Sequence, residues 1–481
     1  MNRKGIIKMI LWGITLCCLN RTAWGQLHDS LLVYMQIAAR NNPMVMQKFY
    51  EYRATLEKIP QVSSLPDPEL SAGIFLSPME LVAGNQIADI RLMQMFPWFG
   101  TLRYAREETE YMAKARYESF REAKLEIMFR VQQLWYELFK IKAAIRITEK
   151  NIQILQSLER IALVRFSSGS DAVVSSSSIN PQTKANNNNS ANSGMEGMTS
   201  EQPGTSTGTG SSSSTMPMNQ SMSPVASGSR LSDLYRIQID LASLQDDLAS
   251  LQNSLISLQA DFNSLLNRPA DSPVTIADSL DTDTLSFDLK PIADTIINNN
   301  PMLKMWDYEQ QSNLARKQMI QRMGYPMIGI GLNYSLINPG KMSSSSMNGK
   351  DMVMPMVTIT LPIYRKKYRA MQTENEMLQQ SVLQNYQASY NDLQTSWIKA
   401  VQMYRDARRG LSIYSRQQFL LQKTFEITLQ NFAASGTGLT EVLLTRQQLL
   451  NYELKKSEAV ADLCTAIAWI KKLSATVDSN N

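Results

Sequence analysis

Two spacings of hydrophobic residues occur along the chain, and each predicts a different kind of element. Between residues 231 and 267, apolar side chains recur at alternating intervals of three and four. This spacing predicts a helix with a coiled-coil seam, and Pro269 ends it. The seam consists of Leu234, Ile237, Leu241, Leu244, Leu248, Leu251, Leu255, Leu258, Phe262 and Leu265.

Four shorter segments alternate apolar and polar residues with a period of two, which is typical of β-strands with two different faces. They lie at about 68–78, 87–97, 325–336 and 352–362. Strands of about ten residues are long enough to cross a bilayer when tilted. We favour membrane strands, and a two-sided sheet in a soluble protein is the alternative.

The same order of segments occurs twice along the chain. Asn-Asn-Pro-Met at 41–44 recurs at 299–302, and Phe-Pro-Trp-Phe at 96–99 corresponds to Leu-Pro-Ile-Tyr at 361–364. Similarly, Leu-Ser-Asp-Leu at 231–234 corresponds to Leu-Thr-Glu-Val at 439–442. Self-similarity of this kind predicts two internal structural repeats.

We place the first repeat at 26–269 and the second at 291–475, with a linker at 270–290. Besides its two strands, each repeat has a shorter helical segment, a long helix and a final helix. These helices are predicted at about 30–58, 101–167 and 231–267 in the first repeat, and at about 301–322, 365–433 and 439–473 in the second. A helix of some 67 residues would be about 100 Å long.

Four membrane strands cannot close a barrel, and open strand edges are not stable in lipid. We therefore expect the chain to form an oligomer. Three copies would supply 12 strands, enough for a barrel with an aqueous lumen.

Residues 1–25 are typical of an export signal, with Arg3 and Lys4 before an apolar run and Ala23-Trp24-Gly25 as a cleavage site. A lipoprotein signal is the alternative, although Leu16 and Cys17 occupy the positions where a small residue is required before Cys17 or Cys18.

The charge balance gives no indication of a nucleic-acid partner. The whole chain has 48 Lys and Arg against 43 Asp and Glu. Four of the basic residues lie in the predicted signal, so its removal leaves 44 against 43, a net charge of +1.

The chain has few side chains suited to catalysis. Its one histidine is His28, near the start, which excludes a Ser-His-Asp triad, a Cys-His pair or a multi-histidine zinc site in the body of the protein. Cys464 is the one cysteine after the predicted signal, so no internal disulfide is expected. We therefore expect neither an enzyme nor a bound cofactor.

Methionine is abundant, with 28 residues. The segment 170–229 is rich in Ser, Asn, Gly and Thr, which predicts a disordered insertion, yet it contains Met195, Met198, Met216, Met218 and Met222. Thioethers are soft ligands suited to Cu(I) and, by extension, Ag(I). Compositional drift in a linker is the alternative explanation.

Further methionines alternate with the apolar residues of the predicted strands and would therefore face the polar side of the sheet. They are Met93, Met95, Met352, Met354 and Met356. We interpret them as weak, transient metal ligands, and gap filling near a barrel rim is the alternative.

These motifs in their duplicated order resemble the TolC-like outer-membrane factor family, and its heavy-metal efflux branch in particular. The resemblance covers nearly the whole chain after the predicted signal, and includes Leu-Pro-Asp-Pro at 65–68 and the segment 94–100. It implies a mixed α+β membrane protein, in which a trimeric 12-stranded outer-membrane β-barrel is continued by a long coiled-coil α-helical barrel into the periplasm.

The resemblance also implies partners: a periplasmic adaptor protein, an inner-membrane RND-type pump and outer-membrane lipid around a homotrimer. The channel would conduct substrate passively, with Cu(I), Ag(I) or another heavy metal as the favoured cargo. A multidrug or protein-export conduit is the alternative within the family, and a periplasmic coiled-coil scaffold without a pore is the alternative outside it.

In this family the helical turns would lie at the periplasmic tip, where the adaptor docks. The resemblance assigns docking to Gly436, Gly438, Leu439 and Leu231, for which an ordinary helical-hairpin turn is the alternative. It assigns a gate role to Glu441, but Leu444 occupies the second position, where the family often has another acidic residue. A solvated or helix-capping glutamate is the alternative for Glu441.

Overall fold

A computed structural model describes residues 31–81, 84–170, 229–276, 280, 296–340, 348–435 and 438–475. The predicted export signal, nearly all of the predicted insertion, most of the predicted linker and Gly436 lie outside these residues. In chain order the described elements are α1 (Leu31–Asn41), α2 (Pro43–Ser63), β1 (Glu69–Leu81), β2 (Gly84–Phe96), α3 (Thr101–Ser170), α4 (Ser229–Leu265), α5 (Pro301–Met323), β3 (Met327–Asn338), β4 (Met352–Thr360), α6 (Arg365–Ser435) and α7 (Leu439–Leu473).

The fold therefore combines long helices with a four-stranded antiparallel sheet in the order β1-β2-β3-β4, which confirms the predicted mixture of helix and strand. Strand β1 extends to Leu81, three residues beyond its predicted end, and β4 stops at Thr360, two residues earlier than predicted. The Ile363 N–H donates to the Leu361 carbonyl at 2.9 Å, so the backbone turns just beyond Thr360 and β4 ends there.

The segment predicted as one helix at 30–58 is two helices, α1 and α2, separated at Asn42. Asn42 has an extended backbone, as expected for a residue before proline, and its side chain accepts a hydrogen bond from the Met44 N–H at 2.9 Å. Asn300 starts α5 with nearly the same backbone angles and accepts from the Met302 N–H, also at 2.9 Å.

The predicted coiled-coil seam on α4 faces other parts of the protein. Every seam residue from Leu234 to Leu265 is buried or half-buried, and most residues between them are exposed. No described helix combines the length and apolar character needed to cross a membrane.

Two compact units can be distinguished. The first comprises described residues within 1–147, 249–424 and 447–481, including the sheet. Its core contains Tyr34, which packs 5.4 Å from Trp135 and 5.2 Å from Phe262 between ring centroids. The predicted linker begins inside this core, because Val274 and Ile276 are buried there.

The second unit comprises described residues within 148–248 and 425–446. Ile237 of α4 and Val442 of α7 are fully buried in it. The Arg236 guanidinium donates to the Thr440 hydroxyl at 3.1 Å, and the Gln238 amide donates to the Glu159 carboxylate at 3.0 Å.

Candidate functional site

One face of the sheet is apolar and uncovered. The register places Leu70 beside Leu92, Leu92 beside Leu332, and Ile330 beside Val357, so apolar side chains continue across all four strands. Ile74 is 81% exposed and Val357 is 72% exposed. Because soluble proteins rarely leave so continuous an apolar surface in water, this face requires lipid or another protein to cover it.

The outer strands of the sheet, β1 and β4, each pair on one side only within the described residues. Their other edges present backbone N–H and C=O groups that can pair with a further strand. An apolar face between two open edges is the geometry of a segment of a larger sheet.

The opposite face of the sheet is polar and contains the methionines predicted there. Met93 lies beside Gly331, which lies beside Met356, while Arg91 and Met354 flank Asn333 in the same way. The register thus brings the two methionine groups to either side of β3. Met352 continues this face beside Ser335.

Two glycines of β3 allow groups of β2 to approach closely, a methionine side chain at one and the backbone at the other. A Cβ atom on Gly329 would lie 2.6 Å from the Met95 sulfur, so the thioether occupies the space above this glycine. A Cβ atom on Gly331 would lie 2.9 Å from the Leu92 carbonyl oxygen. Sequence reasoning did not assign these residues a role, although glycine inside a strand is a known sign of close approach.

Aromatic residues gather where the sheet meets the helices. Trp98 stacks on Tyr325 with 5.3 Å between ring centroids and 15° between ring planes. Phe99 is 80% exposed and Tyr364 is 83% exposed. Aromatic residues at one end of an apolar band are typical of a membrane–water interface.

The predicted docking residues have different environments. Leu231 is exposed, but Leu439 is 4% exposed, so its side chain packs within the second unit. Gly438 has a φ of +91°, a conformation that favours glycine before the first turn of α7. Gly436 lies outside the described residues.

The predicted gate residue Glu441 is exposed in the first turn of α7. This position suits a carboxylate, because the N-terminal end of a helix is the positive end of its dipole. Leu444 is also exposed. Thus no second carboxylate accompanies Glu441 at that position.

A buried charge that sequence reasoning missed lies nearby in α7. The Arg446 side chain is 3% exposed, and its Nε and Nη2 atoms have no hydrogen-bond acceptor among the described residues. Burial lowers the pKa of this guanidinium to about 10, and Asp240 acts in the opposite direction. No sequence signal distinguishes this arginine from its exposed neighbours on long helices.

The described residues contain no group of three or more His, Cys, Asp or Glu side chains arranged to hold a metal ion. The thiol of Cys464 is buried, and burial raises its pKa to about 11. The insertion methionines Met195, Met198, Met216, Met218 and Met222 lie outside the described residues.

No protein-family model and no curated protein sequence matches the chain. Solved structures do match. The outer-membrane protein VceC of Vibrio cholerae superposes with a TM-score of 0.67 at 12% identity, over 92% of this chain and 95% of that chain. CusC, solved in a study of folding and transmembrane channel formation, superposes with a TM-score of 0.67 at 13% identity, over 93% and 92%.

The open state of the MtrE outer-membrane channel of Neisseria gonorrhoeae also matches, with a TM-score of 0.60 at 13% identity over 91% of this chain and 88% of that chain. At these identities the similarity establishes the fold. The chain therefore has the fold of known outer-membrane channels.

Proposed function

We propose that this chain is the outer-membrane channel component of a tripartite efflux system. Three copies would assemble a 12-stranded β-barrel in the outer membrane, continued by an α-helical barrel into the periplasm. The single observation that supports this most is the four-stranded sheet, with an uncovered apolar face, a polar opposite face and two open edges.

Lipid is the covering that suits the apolar face, because membrane strands alternate outward apolar and inward polar residues. The open edges of β1 and β4 would pair between copies, since unpaired backbone groups are costly in hydrocarbon. The shared fold with VceC, CusC and MtrE supports this arrangement.

The proposed partners follow from the proposed assembly. A passive channel supplies no energy, so an inner-membrane RND-type pump would drive transport and a periplasmic adaptor would join the pump to the channel. Exposed Leu231 would contribute to the adaptor surface, while the buried side chain of Leu439 and the positive φ of exposed Gly438 would shape the turn. Glu441 would line the narrow end of the pore.

The proposed assembly can be tested with a pair of neighbouring residues on opposite faces of β4. Val357→Lys would place a charge on the lipid face near mid-strand, at a cost of about 2–4 kcal/mol. We expect it to abolish heat-modifiable trimers in detergent and conductance in planar bilayers. The matched control, Thr358→Lys, points to the other face and should assemble with altered ion selectivity.

Two results would contradict the proposal. A wild-type chain that is monomeric without detergent and never conducts would indicate a scaffold instead. Equal behaviour of Val357→Lys and Thr358→Lys would show that the two faces do not have different surroundings.

We further propose Cu(I) or Ag(I) as the cargo. Met95 lies beside Gly329, Met93 and Met356 lie on either side of Gly331, and Met354 lies beside Asn333. Several thioethers therefore share one polar face. Thioethers prefer soft monovalent metals, and weak sites in series let an ion enter and leave. A conduit for drugs or proteins would not require several thioethers on this face.

A further inference from the structure

A cavity of about 750 Å³ lies where β4 meets α6, within the first unit. One side of its wall is polar and includes Gln321, Arg365 and Arg369. The other side is apolar and includes Leu361 and Ile363. A ligand that fits both sides has an anionic or polar head and an apolar body.

The polar side has a strong excess of positive charge. Arg365 and Arg369 are one helical turn apart on the same face of α6, and both are exposed. Neither guanidinium has a carboxylate partner among the described residues. Lys366 and Lys367 lie between them, and the first turn of α6 has no acidic residue.

The apolar side follows directly in the chain from the strand that carries the uncovered sheet face. Leu361 and Ile363 are exposed just after the end of β4, whose Val357 and Ile359 are exposed on the apolar face. An apolar chain in the cavity would therefore meet exposed apolar side chains next to the end of that face. Tyr325, which also lines the cavity, is stacked on Trp98 and gives the cavity an aromatic border.

The corresponding junction between β2 and α3 does not have this charge excess. Arg106 occupies a similar place near the start of α3, but its Nε donates to the Glu110 carboxylate at 2.7 Å. Glu107 and Glu108 follow it. Three nearby carboxylates, those of Glu107, Glu108 and Glu110, therefore offset the charges of Arg103 and Arg106 at this first junction, whereas the first turn of α6 has no carboxylate.

We infer that the cavity between β4 and α6 binds an anionic phospholipid, with its phosphate between Arg365 and Arg369 and its acyl chains along Leu361 and Ile363. Guanidinium groups bind phosphate oxygens through paired, charge-assisted hydrogen bonds. The inference rests on the proposed function, which places the apolar sheet face in a bilayer. The ligand would come from the leaflet nearest the helices, because the cavity lies at the helical end of the strands.

The test uses the purified full-length protein in detergent, with phosphatidylglycerol and phosphatidylcholine titrated separately and bound lipid counted by native mass spectrometry. We expect the wild type to prefer phosphatidylglycerol. The double variant Arg365→Gln/Arg369→Gln should bind phosphatidylglycerol at least about tenfold more weakly than the wild type, since two basic residues near the phosphate are lost. The matched control, Arg103→Gln/Arg106→Gln, should bind like the wild type.

The second part of the test is a competition between inorganic phosphate and bound phosphatidylglycerol. Phosphate at millimolar concentration should leave phosphatidylglycerol bound, because it lacks the apolar body; displacement by phosphate would overturn the inference in favour of a free-anion site. Equal binding of the two lipids would overturn it as well. A double variant with altered oligomeric state and unchanged lipid binding would assign the cavity to a second copy of the chain instead.

Conductance of the same wild-type preparation in planar bilayers separates this inference from the proposed function. A conducting wild type without lipid preference contradicts the phospholipid site alone. A wild type that binds neither lipid and does not conduct contradicts the proposed function itself.

Discussion

Arg446 combines a buried positive charge with two hydrogen-bond donors that have no acceptor among the described residues. The buried Nε and Nη2 groups of its guanidinium lose their hydration and gain no hydrogen bonds in return within the part of the chain that the structure describes. We expect Arg446→Met, which keeps an unbranched apolar side chain, to stabilise the protein by about 1–3 kcal/mol. The measurement is the denaturant midpoint for loss of helical circular dichroism in detergent.

Arg408→Met is the control for this prediction, because Arg408 is exposed on α6 and its replacement should leave the midpoint nearly unchanged. A lower midpoint for Arg446→Met would contradict the prediction. It would mean that a group outside the described residues accepts hydrogen bonds from the guanidinium in the assembled protein.

At the scale of the element, the glycines of β3 decide how closely the strands pack. A methyl group on Gly331 would meet the Leu92 carbonyl at 2.9 Å, and backbone cannot move aside without disturbing the sheet. A methyl group on Gly329 meets the end of the flexible Met95 side chain, which can rotate away.

We therefore expect Gly331→Ala to lower the temperature at which the heat-modifiable form is lost, corresponding to about 1–3 kcal/mol. Gly329→Ala should have a clearly smaller effect. Electrophoretic mobility after stepwise heating measures both variants. A larger loss of heat stability in Gly329→Ala than in Gly331→Ala would show that β2 and β3 are not as close at Gly331 as the structure indicates.

At the scale of the whole molecule, the methionines on the polar sheet face and those of the insertion would act on one transported ion. We expect a variant with Met93, Met95, Met354 and Met356 replaced by leucine and residues 171–228 deleted to lose copper and silver tolerance in cells. Leucine keeps the volume and removes the soft ligand. The comparison of tolerance requires that the variant and the wild type be equally abundant in the outer membrane.

The control for cargo is Met377→Leu, since Met377 is an exposed methionine on helix α6. Cells with the Met377→Leu variant should tolerate copper and silver as well as cells with the wild type. Unchanged tolerance in the multiple variant would contradict the metal hypothesis and leave a channel without a role for these methionines.

Periodicity in the sequence makes much of the architecture predictable. The seam at Leu234 to Leu265 predicted a long helix with one inward side, and alternation in 325–336 predicted a two-faced strand. Both signals are local, because the side-chain direction in a helix or strand follows directly from its repeat. The break at Asn42 was less visible, since the residues on both sides favour helix.

The site was predictable only in part. Met93 and Met356 have the correct alternation in sequence, but their position on either side of Gly331 depends on the register of three strands. The place of Leu439 at a helical turn could be predicted, and its docking role stays a prediction, whereas its burial depends on packing that the sequence does not report. The unpaired state of Arg365 and Arg369 likewise depends on which carboxylates are close in space.

The sequence by itself determined the kinds of element, their order and the face of each strand that is apolar, because these follow from spacing between neighbours in the chain. The tertiary structure decided which faces are covered, which charges are paired and which strand positions the methionines face. Such properties arise from contacts between residues far apart in sequence, as in the pairing of Met93 with Gly331. A two-residue repeat sets the face of a side chain, whereas strand register sets its neighbours.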